Sequence, residues 1–134
     1  MPAFADTSFF VACLGRHDAF HSQASQLMAS YADSIVTTDW VLVELGNYLA
    51  GRPSRRLFGP FVNDLSRDSR FQIFPANAEW LDDGIKLYEQ RPDKEWSLTD
   101  CLSFVVMKNE GLLDAITTDH HFEQAGFHIL LKPE

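Results

Sequence analysis

Residues 3–14 read AFADTSFFVACL, and the fold turns on what Asp6 is doing inside that apolar run. AFA has the short, wholly apolar character of a strand covered on both faces, and the residues after Ser8 are apolar again. A carboxylate set between two such segments costs desolvation free energy unless something pairs with it. If Asp6 closes a parallel strand, it lies at the end of the sheet where ligands of α/β proteins collect.

The segments that follow support a parallel sheet. SIVTT at 34–38, FQIF at 71–74, AITT at 115–118 and HILL at 128–131 are short, apolar and bounded by Asp, Pro or Gly. Helical patterns fill the intervals. Residues 17–32 place Phe20, Ala24, Leu27, Met28 and Tyr31 on one face, and residues 40–49 do the same with Val41, Leu42, Leu45, Tyr48 and Leu49. A third helix follows Pro53 through Leu57, Phe61, Val62 and Leu65. A fourth presents Trp80, Leu81, Ile85 and Tyr88, and a fifth runs from Thr99 to Glu110 and stops at Gly111. Strands alternating with helices predict βαβ crossovers, hence an α/β fold: a three-layer α/β/α sandwich around a central, mostly parallel sheet. No repeat, low-complexity tract or linker interrupts the 134 residues, which read as one domain over 1–134.

Composition narrows the function. Hydrophobic residues make up 46% and charged residues 22% of the chain, as in ordinary globular proteins. No apolar run nears the roughly 18 residues that a membrane helix needs. The first residues lack a basic start and a small-residue cleavage site, so a cytoplasmic protein is expected rather than an exported one. Cys13 and Cys101 sit in apolar helical stretches without zinc spacing and read as reduced, buried thiols. The net charge of −8 argues against non-specific nucleic-acid binding, unless the acids gather where a metal cancels them.

Four acids have the placement for that. Asp6 and Asp119 close the first strand and the AITT strand, and they share one sheet edge if those strands are neighbours. Glu44 borders the apolar face of the helix after the second strand, and Asp100 opens the fifth helix on its buried side. Four unpaired carboxylates in one cleft would repel and take up protons; a hard divalent cation relieves this and favours oxygen ligands. Thr7, Ser8 and Thr117 then read as hydroxyls that orient the carboxylates. Local roles compete for the same residues: Asp6 or Thr7 as a helix N-cap, Ser97 with Asp100 as a capping box, and Asp119 as a cap on the following turn.

DTSFF (6–10), TTDWVLVELGNYL (37–49), WSLTDCLSFVVM (96–107) and ITTDHHFEQAGF (116–127) occur in this order over nearly the whole chain. As a set they resemble the PIN-domain nucleases, particularly the VapC-like toxins of toxin–antitoxin pairs. The resemblance implies an acidic, Mg²⁺- or Mn²⁺-dependent site that hydrolyses single-stranded RNA through metal-activated water. It also implies a homodimer, and restraint by a cognate antitoxin protein. Residue by residue, Asp6 matches the first acid, Glu44 the helix acid, Asp100 the third and Asp119 the fourth, all catalytic and metal-binding in such enzymes. Thr117 matches the hydroxyl residue two before the last acid. The position before Phe122, often acidic in the family, is His121 here, which leaves the metal count open.

In-line attack by water would leave a 5′-phosphate and a 3′-hydroxyl, so no histidine pair is required. His120 and His121, adjacent and expected to point apart, read as surface or substrate-contacting residues. Arg52, Arg55 and Arg56 form the densest basic cluster and are candidates for guiding phosphates; Arg67, Arg70 and Lys94 are weaker ones. A solvated helix start is the plain alternative for the cluster. Trp40 and Trp96 read as core before base-stacking. A receiver-domain reading fits Asp6, Thr118, Lys132 and Pro133, but it fails where Phe74 and Pro75 replace its phospho-accepting Asp. Two further readings stand beside the toxin: an RNA-processing PIN nuclease outside a toxin system, and a metal-binding PIN-like module without activity.

Overall fold

AFA is apolar at every position because it forms the middle strand of the sheet. In the computed structural model, which describes residues 1–133, β1 (Ala3–Ala5) pairs in parallel with β2 (Ile35–Thr38) and with β4 (Asp114–Ile116). β3 (Phe71–Phe74) and β5 (His128–Ile129) add the two edges, again in parallel, in the order β3-β2-β1-β4-β5. Every residue of β1 and β2 is buried, whereas edge strand β3 is partly exposed. The chain builds from β1 out to β3 and then crosses back to β4. That reversal creates a topological switch point between the carboxyl ends of β1 and β4.

Helices cover the sheet: α1 (Thr7–Leu14), α2 (His21–Ser30), α3 (Asp39–Leu49), α4 (Phe58–Arg67), α5 (Ala78–Gln90), α6 (Leu98–Asn109) and α7 (His120–Gln124). The three-layer α/β sandwich with a parallel sheet is therefore as read from the sequence. Phe4, Phe9, Phe10 and Phe122 are fully buried in the core, and Phe122 packs against Phe4 and edge-on against Phe104, 4.9 Å away between ring centroids. Trp96 belongs to this core, with its indole N–H donating to Gln124 Oε1 at 3.0 Å, and Trp40 packs half-buried against it. Both cysteines are free; burial pushes the Cys13 thiol up to about 12 and Cys101 to about 11, so neither is a reactive thiolate. Gly111 stops α6 as expected, with φ of 67° and Leu112 N–H returned to the Met107 carbonyl at 2.8 Å.

Several local expectations are corrected. The helix read from residue 17 starts at His21, because Asp18 Oδ1 takes the Phe20 N–H at 2.8 Å and holds a turn there. The helix after Pro53 splits into a 3₁₀ segment, Pro53–Leu57, and α4. Pro60 explains the break: inside one continuous helix its ring would meet the carbonyl four residues back, whereas in the first turn of α4 its missing N–H goes unneeded. α5 is rotated from its expected phase. Trp80, Gly84 and Leu87 face inward, while Leu81, Ile85 and Tyr88 are exposed. A Cβ on Gly84 would lie 2.5 Å from Leu102 Cδ2, so the bare glycine is what lets α5 approach α6. Tyr48, assigned to the inner face of α3, is 43% exposed. The AITT and HILL strands are shorter than read, and α7 was not anticipated as a helix.

Candidate active site

Asp6 follows the last residue of β1 and occupies the N-cap position of α1, yet its side chain makes no cap bond. It turns instead toward the loop after β4, where Thr117 Oγ1 donates to its Oδ2 at 2.9 Å. Thr117 has one hydroxyl proton, and Asp6 receives it; the same oxygen accepts the Asp119 N–H at 3.0 Å. Ser8 Oγ lies 2.9 Å from Thr117 Oγ1 and 3.5 Å from Asp6 Oδ2, and it accepts the Thr118 N–H at 3.0 Å. These bonds tie the ends of β1 and β4 together across the switch point. They also explain why the threonines leave the strand: Thr117 is spent on side-chain bonds rather than on a sheet face.

Glu44 reaches the same place from α3, and Thr7 Oγ1 donates to its Oε1. Asp100 comes from the first turn of α6, where the capping box forms: its N–H donates to Ser97 Oγ at 3.0 Å and its Oδ2 accepts the Ser97 N–H at 3.1 Å. Asp119 caps α7 by accepting the His121 N–H on Oδ1 at 2.9 Å. The capping roles weighed against the site therefore exist for Asp100 and Asp119, and they coexist with it. A cap engages some of a carboxylate's lone pairs and fixes where the rest point.

All four acids line one open hollow of about 610 Å³. Asp18 and Glu95 bring its carboxylates to six, and among the described residues no Lys or Arg lines it. Burial pushes the Asp6 carboxyl up to about 7, with the charges of Asp100 and Glu44 adding to the rise and the bonds from Thr117 and the Thr7 backbone opposing it. Asp100 is also raised, first by burial and then by Asp119, against the Ser97 N–H and His121. Among the described residues the ligand atoms of Asp119, His120 and His121 lie within 4.8 Å of one another, and Asp6 and Asp100 add buried hard oxygens to the hollow that Asp119 and His121 line. That chemistry suits a divalent ion such as Mg²⁺ or Mn²⁺.

His121 is not a surface residue: it lines the hollow beside the acids. Its Nδ1 lies 3.0 Å from Asp100 Oδ2 and 3.4 Å from Asp119 Oδ1, with the side chain 19% exposed. A carboxylate only accepts, so Nδ1 carries the proton in that pair. The two histidines do not diverge: their ring centroids are 4.6 Å apart, and His120 Nδ1 approaches Asp119 Oδ1 at 3.8 Å from an exposed position. DHHF marks the Asp119 cap, which engages the His121 backbone N–H, but the imidazole contact with Asp100 of α6 has no local signal. Of the basic cluster, only Arg52 comes near the hollow, with its guanidinium 4.0 Å over the ring of Tyr48, which lines it. Arg55 donates to the Ala50 carbonyl at 2.8 Å beside a separate depression, and Arg56 is exposed. Arg70 is structural, paired with Asp68 and bonded to the Met28 and Tyr31 carbonyls.

The PIN-domain family model matches residues 3–128. The chain is 31% identical to the 23S rRNA-specific endonuclease VapC20 of Mycobacterium tuberculosis over 137 aligned positions, which cover 98% of each protein. The crystal structure of that VapC20, described as a sarcin–ricin loop cleaving toxin, superposes with a TM-score of 0.84 at 27% identity, over 93% of this chain and 95% of that one. VapBC2 of Rickettsia felis, solved on a DNA fragment from its promoter, shares the fold at a TM-score of 0.67 and 16% identity, with 97% and 98% coverage. The sheet order, the switch-point hollow and these matches lead to one conclusion: the chain belongs to the PIN-domain family, with a VapC endonuclease among its relatives.

Proposed function

We propose that the protein is a divalent-metal-dependent endoribonuclease that cuts single-stranded RNA, and that it is the toxin of a toxin–antitoxin pair. One observation carries this reading: Asp6, Glu44, Asp100 and Asp119 converge from four elements on a hollow lined, among the described residues, by no Lys or Arg, in a relative of a 23S rRNA endonuclease. These four acids are the proposed ion-holding and catalytic residues. A Mg²⁺ or Mn²⁺ ion bound there supplies Lewis-acid stabilisation of a phosphate and a lower pKa for water.

The chain's own groups set the stage for that ion. Thr117 and Ser8 fix the Asp6 carboxylate, Thr7 fixes Glu44, and the Ser97 N–H fixes Asp100, so each acid presents its remaining oxygens in a set direction. His121 stands between Asp100 and Asp119, its Nδ1 hydrogen-bonded to Asp100 Oδ2 at 3.0 Å and 3.4 Å from Asp119 Oδ1. Preorganised carboxylates need little rearrangement when charge develops on the phosphate. We read residues 1–134 as one nuclease domain, which a sheet drawing strands from Ala3 to Ile129 supports.

The antitoxin is the proposed protein partner, and the description of VapC20 as a toxin supports it. A homodimer is proposed through α5, whose exposed Leu81, Ile85 and Tyr88 make an apolar stripe at helical spacing. The proposed compartment is the cytoplasm; among the described residues no helix is long and apolar enough to cross a membrane. The test is cleavage of labelled single-stranded RNA, including 23S rRNA fragments, by wild-type protein and Asp6→Asn, with Mg²⁺, Mn²⁺ or EDTA. Metal-dependent products with 5′-phosphate ends, absent in the variant, are expected. Cutting that persists in EDTA or in Asp6→Asn would overturn the reading.

A further inference from the structure

The acidic hollow adjoins a second, smaller one of about 260 Å³, and Val11, Asp18 and Tyr48 line both. Their charges are opposite. Arg16, His17 and Arg52 wall the second hollow, brought together from the end of α1 and the end of α3. Tyr48 belongs to both: its ring borders the carboxylates and also carries the Arg52 guanidinium at 4.0 Å. Stacking of this kind holds a guanidinium in place without neutralising it.

Among the described residues, neither Arg16 nor Arg52 is held in an ion pair. Arg70 is paired with Asp68, Arg91 with Asp93, and Arg55 donates to a backbone carbonyl. Among the described residues, no carboxylate lies within 4.0 Å of either the Arg16 or the Arg52 guanidinium. Asp18, which lines both hollows, has its Oδ1 engaged by the Phe20 N–H. Arg56 and Arg67 are likewise outside any ion pair among the described residues, but of these four only Arg16 and Arg52 wall the hollow beside the carboxylates.

We propose that this basic hollow is a phosphate subsite for the RNA strand, in which Arg16 and Arg52 hold a backbone phosphate next to the one presented to the carboxylates. The inference rests on the endoribonuclease reading and deepens it. A polyanion nearing six carboxylates is repelled, and cations within about 10 Å, one Debye length at 0.1 M salt, offset that locally. Guanidinium is suited to the task because its fork meets two phosphate oxygens at once. An acidic peptide is the competing occupant, since carboxylates would meet the same fork.

The test uses Arg16→Gln, Arg52→Gln and their combination, with Lys108→Gln as a charge-matched control away from both hollows. Cleavage of the RNA cut by the wild-type protein gives KM and kcat. Fluorescence anisotropy of the same RNA on full-length protein carrying Asp6→Asn gives affinity against salt. In the double variant KM is expected to rise about tenfold, kcat to fall by less, and the slope of log affinity on log salt to lose about 0.7 for each arginine removed. Tyr48→Leu is expected to reproduce part of the Arg52→Gln effect, while Lys108→Gln should not. Wild-type cleavage with KM and slope unchanged in the double variant would overturn the subsite while leaving the nuclease intact. Unchanged RNA binding with weakened binding of the antitoxin would assign the hollow to an acidic peptide instead. Absence of RNA cleavage by the wild type would remove the nuclease reading itself, which separates the two failures.

Discussion

Replacing Asp6 by Asn should destroy cleavage and yet stabilise the metal-free protein, by an amount that grows with pH. The Asp6 carboxyl rises from 3.8 to about 7 on folding, with burial as its largest cause. Between those values the unfolded chain has released its proton while the folded chain keeps it. Stability from this group is therefore full below 3.8, falls as pH rises through the window, and stays low above about 7. At about 1.36 kcal/mol per pKa unit, the two titrations give a cost of about 2 kcal/mol at pH 5 and about 4 kcal/mol at pH 8.

The amide of Asn carries no charge to bury, and its oxygen still accepts from Thr117, so the substitution removes most of that cost. For a domain of this size about 3–4 °C of Tm accompanies each kcal/mol, so Asp6→Asn should melt several degrees above wild type at pH 5 and by about twice that margin at pH 8. Thermal melts in EDTA, followed by circular dichroism, measure this difference. Mg²⁺ or Mn²⁺ should then raise wild-type Tm at pH 8, by the equivalent of about 2.7 kcal/mol at a hundredfold excess over Kd, and leave the variant nearly unmoved. A variant no more stable at pH 8 than at pH 5, relative to wild type, would refute the account of Asp6 as a buried carboxylate awaiting a cation.

Asp100→Asn should abolish cleavage with the circular dichroism spectrum retained, because the replacement oxygen can still accept the Ser97 N–H; wild-type rates would remove Asp100 from the site. Thr117→Val takes the proton from Asp6 and strands the Asp119 N–H, so kcat should fall at least about tenfold and stability by about 1–3 kcal/mol in urea melts. Gly84→Ala pushes a methyl group into Leu102 and should cost about 1–3 kcal/mol without altering KM, which separates the α5–α6 contact from the site. Ile85→Asp together with Tyr88→Asp should leave the Tm near wild type and shift sedimentation to monomer; a species of unchanged mass would move the dimer contact away from α5.

Much of this protein was legible as a string. Short apolar strands punctuated by Asp, Pro and Gly, alternating with helical periodicity, identify a parallel α/β sheet, because such strands must be covered on both faces. The four acids were legible for a related reason. Asp6 and Asp100 each interrupt an apolar pattern, and a carboxylate in such a place needs a compensating partner wherever the chain folds. Even Gly111 declared its role, since a positive φ at a helix end is local chemistry.

The tertiary structure decided everything that depends on distance between segments. That Asp6 and Asp119 share an edge required β1 to pair with β4, a choice made by packing over 110 residues of separation that no local signal records. The phase of α5 buries Trp80, Gly84 and Leu87 and leaves Leu81, Ile85 and Tyr88 exposed, with the bare Gly84 set against Leu102 of α6. His121 entered the site only because the Asp119 cap and the capping box of α6 bring their side chains to one point. The same holds for charge. The sequence reports a net −8 and a basic GRPSRR run, but only the fold separates Arg52 from Arg55 and sets it beside Arg16, at the edge of the carboxylates. Periodicity and desolvation act within a segment and can be read from it, whereas Coulomb interactions and packing act across space and wait for the chain to close.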